Sequence, residues 1–177
     1  IMKTEHKVIG GIILLTLVII FGGTWLSSKE GAKNTEKLSK SMMGEKMPDM
    51  GGEHVARGAV HSGYNSNPPT SGPHWTGVVG AGIKDGLVPD ELILHSMEHG
   101  AAVVWYREGL DQGDIDKITE AFNNSSGKKI MVARKDLNVP VALTSWGYLL
   151  KLQNIDEGTI KEFIETNNDR APEKALI

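Results

Sequence analysis

Hydrophobic and polar positions divide this 177-residue chain into stretches of different character. The first is "VIGGIILLTLVIIFGGTWL", Val8 to Leu26, which runs without a charge. Polar residues dominate from Ser27 to about Gly52, with too few large aliphatics to bury a core, and predict a flexible stalk. "NSNPPTSGPHWTG" follows as a loop, because three prolines and two glycines continue neither a ladder nor a helix. "VPDELILHSMEHG" reads as a short helix, with Pro89 and Asp90 suited to its start and Gly100 to its C-terminal cap. "AAVVWY" is a buried-type strand, and "DQGDIDKITEAF" a helix with Ile115, Ile118 and Phe122 on one face. "NNSSG" breaks that helix; "KKIMVAR" and "VALTSWGYLLKL" then read as strands. "DEGTIKEFIETNN" closes as a helix burying Ile160, Phe163 and Ile164. The order helix–strand–helix–strand–strand–helix predicts an α+β fold, a small sheet with helices packed on it, preceded by one transmembrane helix. A ferredoxin-like and a thioredoxin-like half both fit that order.

As a helix, Val8–Leu26 would extend roughly 28 Å, close to the hydrocarbon thickness of a bilayer. Lys3 and Lys7 precede it and Trp25 sits near its far end, which predicts a single-pass anchor with a cytoplasmic N-terminus and the domain outside. Lys29 and Lys33 beyond the tract moderate that charge signal. A cleaved signal peptide is the competing reading, but "TWLSSKEGAK" offers no clean small-x-small site. The expected organisation is an anchor over 1–26, a methionine-rich stalk over 27–52 and one extracytoplasmic domain over 53–177.

Composition narrows the chemistry. With no cysteine, thiolate zinc sites, thiol redox chemistry and disulfides are excluded, which fits an oxidising exterior. A net charge of −3, spread without a basic block, argues against nucleic acid.

"HSMEHG", residues 95 to 100, carries the sharpest chemical signal. On a helix advancing about 100° per residue, Glu91, His95, Glu98 and His99 share a sector of about 100°. Ile93, Leu94 and Met97 project from the other side. Imidazoles at i and i+4 are surface neighbours and can converge on one metal ion. The letters also fit H-x-x-E-H, a zinc-peptidase signature with glutamate as general base, but five letters with three fixed positions recur by chance. A purely structural role for a histidine pair is the bland alternative. His74, on a loop whose prolines fix several φ angles, supplies a third imidazole of defined direction.

"PPTSGPHW", "LHSMEHGAAVVWY" and "VALTSWGYLLKL" closely resemble the uncharacterised prokaryotic family known as domain of unknown function 3105, over about Gly58 to Ile164. The resemblance implies no activity. It implies that Pro68–His74, His95, Glu98, His99 and Gly100 belong to one shared feature, and that an N-terminal membrane segment is usual.

Met42, Met43, Met47 and Met50, followed by His54, add a cluster of soft donors that favours Cu(I). A merely adaptable apolar segment is the alternative there. The resulting expectation is a membrane-anchored extracytoplasmic protein that binds copper, with zinc the runner-up and no indicated protein partner. His74, His95 and His99 would be ligands, with Met97 as a soft ligand despite its apolar-side phase, and Glu98 would orient an imidazole. The competing classes are a small zinc hydrolase with Glu98 as base, and a non-catalytic envelope interaction module.

Overall fold

The computed structural model describes residues 4–173 and 175–177. Lys3, part of the expected orientation signal, lies outside the described residues, and so does the side chain of Lys7. The chain divides after Ser41 into two compact units. The first unit contains one helix, α1 (Thr4–Ser39), of which Val8–Lys29 is long and apolar enough to cross a membrane. Among the described residues its apolar side chains stand exposed: Leu14 is 65% exposed and Phe21 66%.

The second unit begins with four strands of two residues each: β1 (Glu45–Lys46), β2 (His54–Val55), β3 (His74–Trp75) and β4 (Gly82–Ile83). Longer elements follow: α2 (Asp90–Glu98), β5 (Ala102–Arg107), α3 (Gln112–Asn123), β6 (Lys129–Arg134), β7 (Val141–Ser145), β8 (Tyr148–Leu152) and α4 (Glu157–Asn167). Six strands make one mixed sheet in the order β1-β8-β7-β5-β6-β4, while β2 and β3 pair by themselves. The α3 crossover makes β5 and β6 parallel, whereas β7 and β8 are antiparallel. The α+β class is as expected. The segment read as one strand, Val141–Leu152, is instead a hairpin turned at Trp146–Gly147, where φ of +74° favours glycine.

Side-chain alternation along β5 sorts the core into two layers. Val103 and Trp105 join Ile93, Leu94 and Met97 of α2 on one face of the sheet. Ala102 and Val104 join Ile118, Phe122, Ile160, Phe163 and Ile164 from α3 and α4 on the other. Each fully buried aliphatic or aromatic side chain contributes about 1.5–3 kcal/mol. Asp111 and Asp156 start α3 and α4 by accepting from the backbone N–H of Asp114 (3.0 Å) and Thr159 (2.9 Å).

Residues 42–52, read from their polarity as stalk, are held to the sheet. β1 pairs with β8, the Met43 N–H donates to Asn167 Oδ1 at 2.8 Å, and the Met47 N–H donates to the Gly147 carbonyl at 2.9 Å. Backbone pairing at a sheet edge needs few large side chains, so composition gave no sign of it.

Candidate metal centre

Helix α2 places two of the site's side chains by ending where it does. The Gly100 N–H donates to Met97 O and the Ala101 N–H to Ser96 O, both at 2.9 Å, which is the paired bonding of a Schellman cap. Gly100 adopts φ +96°, and a Cβ there would lie 2.9 Å from the Asp169 Cα, so glycine is required twice over. The stop leaves His95 and Glu98, three residues apart, side by side in the final turn.

The proline-rich loop supplies the third group. Its Thr70 carbonyl accepts from the Gly147 N–H at 2.9 Å, Ser71 Oγ accepts from the Met50 N–H at 2.9 Å, and the Tyr64 hydroxyl donates to Pro73 O at 2.8 Å. The loop delivers β3, and β2 lies parallel to it with His54 in register with His74. Backbone bonds from Gly72 N to Gly51 O (2.8 Å) and from His74 N to Glu53 O (2.9 Å) fix that register. The polar face of α2 is therefore covered, and His95 and Glu98 are each only 6% exposed.

Four side chains converge: one donor atom each from His54, His74, His95 and Glu98, all within 4.8 Å of one another. Glu98 Oε2 is 3.1 Å from His74 Nε2 and 3.2 Å from His54 Nε2. The His95 ring centroid is 4.8 Å from that of His54 and 5.2 Å from that of His74. His74 is fully buried, with its Nδ1 2.8 Å from the Gly72 carbonyl oxygen. A carbonyl only accepts, so Nδ1 of His74 carries a proton; in the neutral ring Nε2 then offers a lone pair, and in the imidazolium it donates to Glu98. His95 Nδ1 is buried with no hydrogen-bond partner among the described residues. Burial, then the neighbouring imidazoles of His99, His74 and His54, hold the His95 pKa below the ordinary histidine value. That shift favours the neutral ring, which has a lone pair to give.

Of the residues expected from sequence, His74 and His95 meet here. His54, expected beside the methionines, joins them through the β2–β3 pairing, and Glu98 stands among the donors rather than behind one. His99 falls outside this group, although its ring centroid is 4.5 Å from that of His95. Its Nε2 lies 3.2 Å from Glu173 Oε2. Met97 is fully buried in the α2-side core, its sulfur accepting from the Thr144 hydroxyl at 3.2 Å. Helical phase decides that outcome, since residue 97 projects toward the sheet. Met43 and Met47 pack against the two different cores, and the Met50 sulfur accepts from the Asn65 N–H at 3.2 Å. Met42 is partly buried. The four thioethers expected to wrap one ion are thus not collected at one place.

The family described as Protein of unknown function (DUF3105) matches residues 47–176, a span containing all four donors. No curated protein and no solved structure matches the chain.

Proposed function

This chain belongs to the DUF3105 family of proteins of unknown function, and from its site we propose that it is a metal-binding protein holding a divalent first-row ion, Cu(II) or Zn(II), outside a membrane to which α1 anchors it. One observation carries the reading. With Nδ1 committed to Gly72 O, His74 Nε2 faces Glu98 Oε2 at 3.1 Å in a buried setting. A neutral imidazole nitrogen and a carboxylate so placed repel unless a proton or a metal ion joins them, and His54 Nε2 meets the same oxygen. The backbone bond on Nδ1 is also the usual way a ligating imidazole is oriented. A tetrahedral ion with ligands at about 2.0 Å separates its donors by roughly 3.3 Å, near the two spacings around Glu98.

Three imidazoles and a carboxylate are nitrogen and oxygen donors of the kind that suit Zn(II) and Cu(II), whereas Cu(I) is selected by softer sulfur. The copper expectation therefore goes forward as Cu(II), which binds nitrogen–oxygen sites more tightly than Zn(II). Four protein donors fill a tetrahedron, which favours holding an ion over activating water, and a ligating Glu98 is not free to act as a base. The test is element-resolved metal content and competitive titration of the full chain in detergent. Wild type is expected to take one equivalent of Zn(II) or Cu(II). His74→Ala is expected to lose more affinity than the roughly 10- to 100-fold that residues behind the ligands cost. A wild-type chain that holds no more metal than His74→Ala ends the proposal.

A further inference from the structure

The four donors are unequally held, and the inequality bears on how the ion proposed above moves. His74, His95 and Glu98 sit on a locked loop and a capped helix, and their side chains are nearly or fully buried. His54 sits on a strand of two residues, with 39% of its side chain in solvent. The segment around it, residues 51–60, is exposed at every position except the half-buried Val55. Val60 is 100% exposed, and the Arg57 guanidinium stands over the Trp75 ring, 5.4 Å from its centroid. The two-residue pairing of β2 with β3, with backbone bonds from Gly72 and His74, ties this strap beside the site.

We propose that His54 is the exchangeable ligand of the site, through which the ion is loaded and unloaded. The proposal rests on the metal reading above. An incoming neutral nitrogen or sulfur donor gives its lone pair to the ion as the bond from His54 Nε2 breaks. The freed Nε2 keeps its lone pair, and the charge of the ion does not change. His74, His95 and Glu98 hold the ion while this happens, because the folded chain gives them nowhere to swing. The partner is accordingly a donor or acceptor of metal that approaches the strap face. Metal binding, by adding a bond to His54, should also tighten the strap.

The test uses the full chain in detergent, loaded with Zn(II), and follows transfer to an excess of a chelating dye by stopped flow. His54→Ala is expected to keep one zinc equivalent but release it about tenfold faster or more, whereas His95→Ala should fail to retain zinc. In parallel, zinc should slow tryptic cleavage after the exposed Arg57 about tenfold in wild type and not in His54→Ala. Loss of zinc from His54→Ala as complete as from His95→Ala would overturn the proposal, as would an unchanged transfer rate or unprotected Arg57 in zinc-loaded wild type. A wild-type chain that takes up no zinc or copper would instead overturn the metal reading itself.

Discussion

Glu98 is the residue on which the most constraints meet. Its Oε2 faces two imidazole nitrogens, while its Oε1 lies where a Cβ at Gly52 would intrude. In Glu98→Gln an amide N–H can donate to the bare Nε2 of His74. The chelator-treated variant should therefore be more stable than wild type by about 1 kcal/mol, while its zinc affinity falls. Denaturant titration in chelator reads the first effect and dye competition the second. A destabilised metal-free Glu98→Gln would mean that a proton, in an imidazolium–carboxylate pair, does the work assigned here to a metal. Gly52→Ala should push the carboxylate aside and weaken zinc binding about tenfold, since displacing a donor acts as outer-shell changes do. A second histidine supplies a pH signature away from the site. His61 bonds Ser62 O at 2.8 Å and Glu91 Oε1 at 3.1 Å, and these contacts, the backbone one first, raise its pKa. Raised in the folded state, it stabilises fully below its unfolded value of about 6.5, and that contribution is lost as pH climbs through the folded value. From about pH 6 to pH 8, in chelator, wild type should lose more stability than His61→Gln. Equal losses in the two proteins would remove His61 as a source of pH dependence.

At the scale of elements, α3 and α4 rest on their caps as well as their apolar faces. Asp111→Ala and Asp156→Ala should each cost about 1 kcal/mol in denaturant titrations, with metal content unchanged. Met43→Leu and Met47→Leu replace like volume in the two cores and should cost under about 1.5 kcal/mol each. Zinc content should be indifferent to both, whereas a copper-wrapping role would make copper content depend on them. These elements also mark what the letters could reveal. Ile118 with Phe122, and Ile160 with Phe163 and Ile164, repeat at helical spacing, and all five are buried. His74 was legible because prolines stiffen its loop, and His95 because its helical phase set it opposite Leu94 and Met97. β1, β2, β3 and β4 were not legible, since no alternation can be written in two residues and each exists through a distant partner. His54 reaches the site only by such a pairing, so its membership was hidden. His99 shares the polar face of α2, but as the capping residue it is drawn to Glu173 in a tail that no local pattern ties to it.

For the whole molecule, the first question is which side of a membrane the site faces. Lys3 and Lys7 ahead of the uncharged tract motivate a cytoplasmic start. An external protease should remove a C-terminal tag from intact cells, and a tag protected until the membrane is permeabilised would refute that orientation. A second consequence comes from the edge of the sheet. The Met43 backbone bonds in both directions with the Asn167 amide, 124 residues away, and β1 lies along β8. Within the second unit, the stretch made first during translation thus finds its partners among those made last. Until the ribosome has delivered β8 and α4, β1 and Met43 have nothing to zip onto. A nascent chain arrested before β8 should leave Met43 and β1 open to hydrogen exchange, and release of the remaining residues should close them. Delivery of the last helix then becomes the event that secures the first strand of the fold.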